Sequence, residues 1–207
     1  MNVKKLAYTI LASTGIAFSA GPAQATLMLK LDAGGSNVVT LTDASNSGLL
    51  SYSGALGIWD INVSTGVSNA PGVGGKASLA LTSIDRSTAA GNLTISLWDN
   101  GFTTPNGLGL GAVTEVGGVA GGSISLNSFL NGSSLSSFAF SGGNFSDKNS
   151  KTVDLSGPFT LMEVATITHD KAALSQLSIT TTVPEPATLA LLGVGLLGLG
   201  FARRRAI

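Results

Sequence analysis

The 207-residue chain carries 11 basic and 11 acidic residues, a formal net charge of zero, and only 11% of its residues are charged, well under the ~25% usual for soluble domains. Cysteine is absent and histidine occurs once, which excludes a disulfide scaffold, a thiolate zinc site, a cysteine nucleophile and any multi-histidine metal site within one chain. Charge neutrality argues against a nucleic-acid partner, and the length allows one folded domain of ~150 residues once the ends are set aside.

Residues 1–25 read as a secretory signal peptide with a helical apolar core. Lys4 and Lys5 supply the positive start, Leu6 to Ala20 is a mostly apolar run, and Gly21 and Pro22 break it. Ala23-Gln24-Ala25 is an A-x-A cleavage site, so the mature chain is expected to start at Thr26. The apolar run is too short for an ordinary spanning helix. The implied partners are the Sec translocon and signal peptidase.

Residues 26–182 form the exported body. Six basic and ten acidic residues give it a charge near −4, and nearly half of it is Ser, Thr, Gly or Asn. Period-2 alternation marks half-buried strands. Leu93, Ile95 and Leu97 share a face, as do Leu79 with Leu81, Ile124 with Leu126, and Leu177 with Ile179. Trp59 shares parity with Ile61 and Val63, a core position, whereas Trp98 has the opposite parity to Leu93, Ile95 and Leu97 and is expected to point outward. Strands are predicted near 27–31, 37–42, 57–63, 77–84, 92–98, 112–116, 123–129, 135–140, 151–155, 159–168 and 174–182. Asp99-Asn100-Gly101, Asn106-Gly107 and Asn131-Gly132 are turn formers, and 141–150 reads as a mobile loop. No 3.6-residue period is sustained and no repeat period is present. The body is therefore expected to be all-β, one two-sheet sandwich of jelly-roll type.

Residues 183–207 form a separate tail. Val183-Pro184-Glu185-Pro186 precedes an apolar run from Ala187 to Ala202, and Arg203, Arg204 and Arg205 follow directly. Sixteen helical residues span ~24 Å against a ~30 Å hydrocarbon core, and snorkelling arginines close the gap of a single transmembrane helix. The positive-inside rule keeps the arginines cytoplasmic and the body outside. Gly193, Gly195 and Gly198 match G-x-G-x-x-G, but no strand precedes them, so a dinucleotide site fails its context.

This order of elements, Pro184-Glu185-Pro186, a Gly/Leu helix, then Arg203 to Arg205, resembles the PEP-CTERM protein-sorting signal of Gram-negative bacteria. The resemblance covers about residues 183–207. It implies an exosortase as partner, a precursor held in the inner membrane, removal of the tail near Pro-Glu-Pro, and delivery to the cell surface or extracellular matrix of an exopolysaccharide-forming bacterium. It gives an address and not an activity.

The body offers little catalytic chemistry. His169 is the one available imidazole; no G-x-S-x-G elbow accompanies it, and Thr168-His169-Asp170-Lys171 reads as a hairpin turn. Asp60, Asp85, Asp99 and Glu163 are the carboxylates near strand positions, with Asp60 and Glu163 interrupting apolar runs; a close pair among them would suit glycoside hydrolysis. Asp147 with Asn144 and Asn149 is the nearest approach to a calcium cluster. Trp98 with Asp99 and Asn100 is a candidate glycan site, since an exposed aromatic stacks on sugar rings while amides and carboxylates bond hydroxyls. Thr40, Thr42, Thr166, Thr168, Thr180 and Thr182 form T-x-T pairs without the regular period of an ice-binding array. No catalytic residue, metal ligand or cofactor is assigned. The expectation is a non-enzymatic surface or matrix protein with a structural or adhesive role alongside exopolysaccharide. The alternatives are a specific glycan-binding module, a secreted hydrolase and an ice-binding protein.

Overall fold

The computed structural model describes residues 26–70, 76–103 and 105–184. Ten strands fill them: β1 (Leu27–Asp32), β2 (Val38–Thr42), β3 (Leu49–Leu56), β4 (Trp59–Ser68), β5 (Lys76–Ser87), β6 (Gly91–Phe102), β7 (Gly107–Leu130), β8 (Ser133–Leu155), β9 (Phe159–His169) and β10 (Ala173–Pro184). Every pairing is antiparallel, and the order across the sheet is β2-β1-β6-β9-β7-β10-β5-β4-β3, with β8 paired to β7. The expectation of an all-β body holds. The signal segment and the apolar tail lie outside the described residues, and among the described residues no helix is long and apolar enough to cross a membrane.

The alternation in the sequence sets which side chains turn inward. Strand β9 buries every second residue from Phe159 to His169, and β5 does the same from Ala77 to Ser87. Leu29 and Leu31 of β1, Leu93, Ile95 and Leu97 of β6, Leu79 and Leu81 of β5, and Leu177 and Ile179 of β10 are wholly enclosed. Each such side chain contributes about 1.5–3 kcal/mol relative to exposure.

Strand β7 changes partner along its length. Val113 to Val119 pair with β10, and Ser123 to Leu130 pair with β9. The register slips between Ala120 and Ser123, where the strand turns over. Fourteen residues of extended chain reach about 46 Å, yet the hydroxyls of Thr114 and Ser128 are 2.7 Å apart. The strand has therefore doubled back, and β8 follows it, since Lys151 Nζ donates to the Ser134 carbonyl at 2.6 Å. The sheet thus folds into two leaves, β1-β2-β6-β9 with the second half of β7 and β3-β4-β5-β10 with its first half. Gly121 and Gly122 permit this. A Cβ on either would collide with a backbone carbonyl oxygen, Leu174 for the first and Thr168 for the second.

The β7–β8 hairpin turns through Asn131 (φ 49°) and Gly132 (φ 77°), both left-handed, as its Asn-Gly sequence predicts. Two expectations are corrected. Residues 141–150 are not a mobile loop but the middle of β8, an edge strand exposed on both faces apart from Phe145. The predicted segments 112–116 and 123–129 are one strand, and β3 was not predicted.

Candidate functional site

His169 closes β9 and is not a turn histidine: it is 1% exposed. Its Nδ1 is 2.8 Å from Ser87 Oγ and its Nε2 is 2.8 Å from Ser175 Oγ. Ser175 Oγ accepts the Gly121 N–H at 3.0 Å, and Ser87 Oγ donates to the Lys171 carbonyl at 3.4 Å. One assignment uses every donor once. Gly121 N–H donates to Ser175, Ser175 O–H to Nε2, Nδ1–H to Ser87, and Ser87 O–H to Lys171, which makes the imidazole neutral. Burial holds its pKa below the usual histidine value, against the opposing pull of Asp170. The Trp59 ring lies 4.8 Å away, tilted by 38°. Both ring nitrogens are committed within an enclosed network that ties β9 to β5 and β10.

The four strand carboxylates separate. Asp60 is exposed, opposite Arg86 across β4 and β5. Asp85 and Glu163 are fully buried on inward faces of different leaves. Asp85 accepts from Ser83 Oγ at 2.7 Å, and burial pushes its pKa up to about 7. Burial likewise raises Glu163 well above the ordinary carboxylate range. Thr181 beside it pulls the other way, yet neither carboxylate oxygen completes a hydrogen bond. Asp60 on the outside does not join Asp85 and Glu163 inside, so the three make no shared hydrolytic site.

Asn144 falls on the opposite face of β8 from Asp147 and Asn149, because strand side chains alternate, so the three do not converge. Asp147 accepts the N–H of Lys148 at 2.7 Å. Among the described residues no group of three His, Cys, Asp or Glu side chains is placed to hold a metal ion. The T-x-T threonines fall on both leaves: Thr40, Thr42, Thr166 and Thr168 on one, Thr180 and Thr182 on the other.

Trp98, Asp99 and Asn100 alternate along β6. Trp98 points outward and is half-buried, as its parity predicts. Asp99 points inward, is 2% exposed, and accepts the Gly101 N–H at 2.8 Å. It is therefore no part of a surface site with Trp98. Asn100 is exposed, and its Oδ1 accepts the Thr26 N–H at 3.3 Å. What joins Trp98 on the surface is a set of residues that the sequence reading did not single out. Met28 of β1 and Met162 of β9 flank it in register, and Phe129 of β7 stands beyond Met162. Parity would have given the orientation of each, but only the strand order puts them in one row.

Of the sorting residues, Pro184 is described: it is exposed at the end of β10, opposite Lys76, directly after the fully buried Val183. Glu185, Pro186 and Arg203 to Arg205 lie outside the described residues, as do Ala23 and Ala25 of the cleavage site.

Residues 182–205 match the PEP-CTERM protein-sorting motif. A motif of this kind implies export, anchoring at the C-terminus in a membrane and then sorting by an exosortase. No curated protein matches the chain. Among solved structures, it is similar to TmCBM61 in complex with β-1,4-galactotriose, at 8% identity over 62% of this chain and 90% of that one, with a TM-score of 0.37. It is also similar to the PA14 sugar-binding domain from an RTX adhesin, at 12% identity over 74% and 87%, TM-score 0.33. A third is the K1 adhesin domain of Lys-gingipain from Porphyromonas gingivalis W83, at 9% identity over 67% and 99%, TM-score 0.30.

Proposed function

We propose that this chain is a structural or adhesive protein of the bacterial surface or extracellular matrix, working in contact with exopolysaccharide. The doubled sheet is read as the two layers of one sandwich, delivered as a unit. The Sec translocon and signal peptidase take off residues 1–25, the tail from 183 holds the precursor at the inner membrane, and an exosortase removes it. The observation that carries the reading is the position of the sorting motif. It begins at residue 182, within the last three residues of β10, so nearly all of the folded body precedes it and is the cargo. The body acts by contact and not by turnover. Its buried ionisable groups, His169, Asp85 and Glu163, serve the interior, and its outward strand faces are rich in hydroxyls and amides.

The test is deletion of the gene in the producing bacterium, followed by complementation. Loss of matrix cohesion or surface adhesion, restored by the wild-type chain and not by one lacking residues 183–207, supports the role. An unaltered matrix with the protein absent overturns it.

A second reading, a specific glycan-binding module, is favoured by the outward Trp98.

A further inference from the structure

We propose that the outward face of the leaf formed by β1, β6, β9 and the second half of β7 is a platform for an extended, uncharged polysaccharide chain, with Trp98 and Phe129 as its stacking residues. This rests on the reading of the body as a polysaccharide-contacting protein and supplies that reading with a site.

Met28, Trp98, Met162 and Phe129 occupy one row across four neighbouring strands. All four are half-buried on the face opposite the core. Trp98 and Phe129 are two strand spacings apart, ~9.6 Å. That distance exceeds one sugar ring, so the pair suits two rings of a chain and not a monosaccharide. The apolar C–H faces of pyranose rings pack on aromatic faces, and the two methionines fill the row with adaptable apolar surface.

The neighbouring rows carry the polar groups that such stacking needs at its margins. On one side stand Asn100 and Thr160; on the other, Lys30, Ser96 and Asn127, with Val164 between the last two. Several are already fixed. Asn100 is held on the Thr26 N–H, and Asn127 Nδ2 donates to Ser125 Oγ at 3.1 Å. Groups that are ordered beforehand lose little freedom on binding.

Charge selects the ligand class. The outward residues of these four strands include one cation and one anion, Lys30 and Asp32, and these pair with each other at 3.1 Å. The other leaf differs: Lys76, Arg86, Asp60, Glu115 and Lys148 all face outward there. The one cation on this face, Lys30, is already paired with Asp32, so the face carries no net charge to draw a polyanion, and the occupant is a neutral glycan.

The experiment uses the mature protein from the producing cells. Trp59 is 1% exposed, so a ligand-dependent change in tryptophan emission reports Trp98. Neutral linear glucan and galactan hexasaccharides, glucose, alginate and the cells' own exopolysaccharide are titrated in turn. Affinities of variants are measured by calorimetry. The expected result is saturable binding of a neutral chain, no response to glucose, and about tenfold weaker binding in each of Trp98→Ala and Phe129→Ala, with Trp98→Phe retaining most of it. Circular dichroism confirms that the variants fold. Binding that survives both alanine variants overturns the site and leaves the polysaccharide reading standing. Preference for alginate overturns the neutral class. No binding to any of them, the native exopolysaccharide included, overturns both.

Discussion

Ser87 Oγ and His169 Nδ1 lie 2.8 Å apart inside the protein although 82 residues separate them in the chain. Their bond joins β5 of one leaf to β9 of the other. It is the third of four links in a run from the Gly121 N–H to the Lys171 carbonyl. Replacing the imidazole removes a partner from both serines and opens a cavity beside Trp59. His169→Ala is therefore expected to cost about 2–4 kcal/mol, read as a fall in the urea midpoint at unchanged m-value. Ser87→Ala, which leaves the ring in place, is expected to cost about 1–2 kcal/mol.

Stability depends on pH in opposite senses for the buried acids and the buried base. Asp85 and Glu163 have raised pKa values when folded. Their contribution is fully present below the unfolded carboxylate value near ~4 and is lost as pH rises through the folded value, about 7 for Asp85. For Asp85 the loss is on the order of 4 kcal/mol. His169 has a lowered pKa, so its contribution is present above the unfolded value near ~6.5 and is lost as pH falls below it. Urea unfolding between pH 4 and 8 is expected to show falling stability toward pH 8. Asp85→Asn and Glu163→Gln should each flatten that fall, and an unchanged slope in both would contradict the assignment.

The doubling of β7 depends on two positions where a side chain meets backbone. Gly121→Ala or Gly122→Ala drives a Cβ into the Leu174 or Thr168 carbonyl, and each is expected to cost more than ~2 kcal/mol. Gly111→Ala, with open space around it and an ordinary backbone, is expected to stay within about 0.5 kcal/mol. Thermal melts of the three variants side by side decide the matter.

Processing gives a chemical readout. Mass spectrometry of the surface protein is expected to show loss of the residues after about Pro184. Pro184→Ala combined with Glu185→Ala is expected to accumulate the precursor with the body still folded, because Pro184 is exposed at the end of β10. An intact Arg203–Arg205 terminus on the mature protein would count against sorting at this motif.

The interior was legible where burial is apolar. The alternation at Leu93, Ile95 and Leu97 fixed β6 and the outward turn of Trp98. It failed where inward residues are polar: Ser83, Asp85 and Ser87 continue the inward face of β5, but no hydrophobic period marks them. His169 was hidden for the same reason, since its partners are serines distant in sequence. Strand β8 from 141 to 150 is an edge exposed on both faces apart from Phe145, so it carries no alternation to read, and β3 only half-buries its inward Leu50, Tyr52 and Gly54, which leaves a weak period. The row containing Trp98 and Phe129 depends on β9 lying between β6 and β7, an order that no local pattern records.

Strand β10 pairs with β5 from Ala173 to Pro184 and with β7 from Gln176 to Thr182. A pull on the C-terminus therefore acts along a strand held on both sides. Many ladder bonds are loaded together in shear; they are not peeled apart one after another. Whatever the tail tethers the protein to, tension from that tether enters the body through a strand paired on both sides.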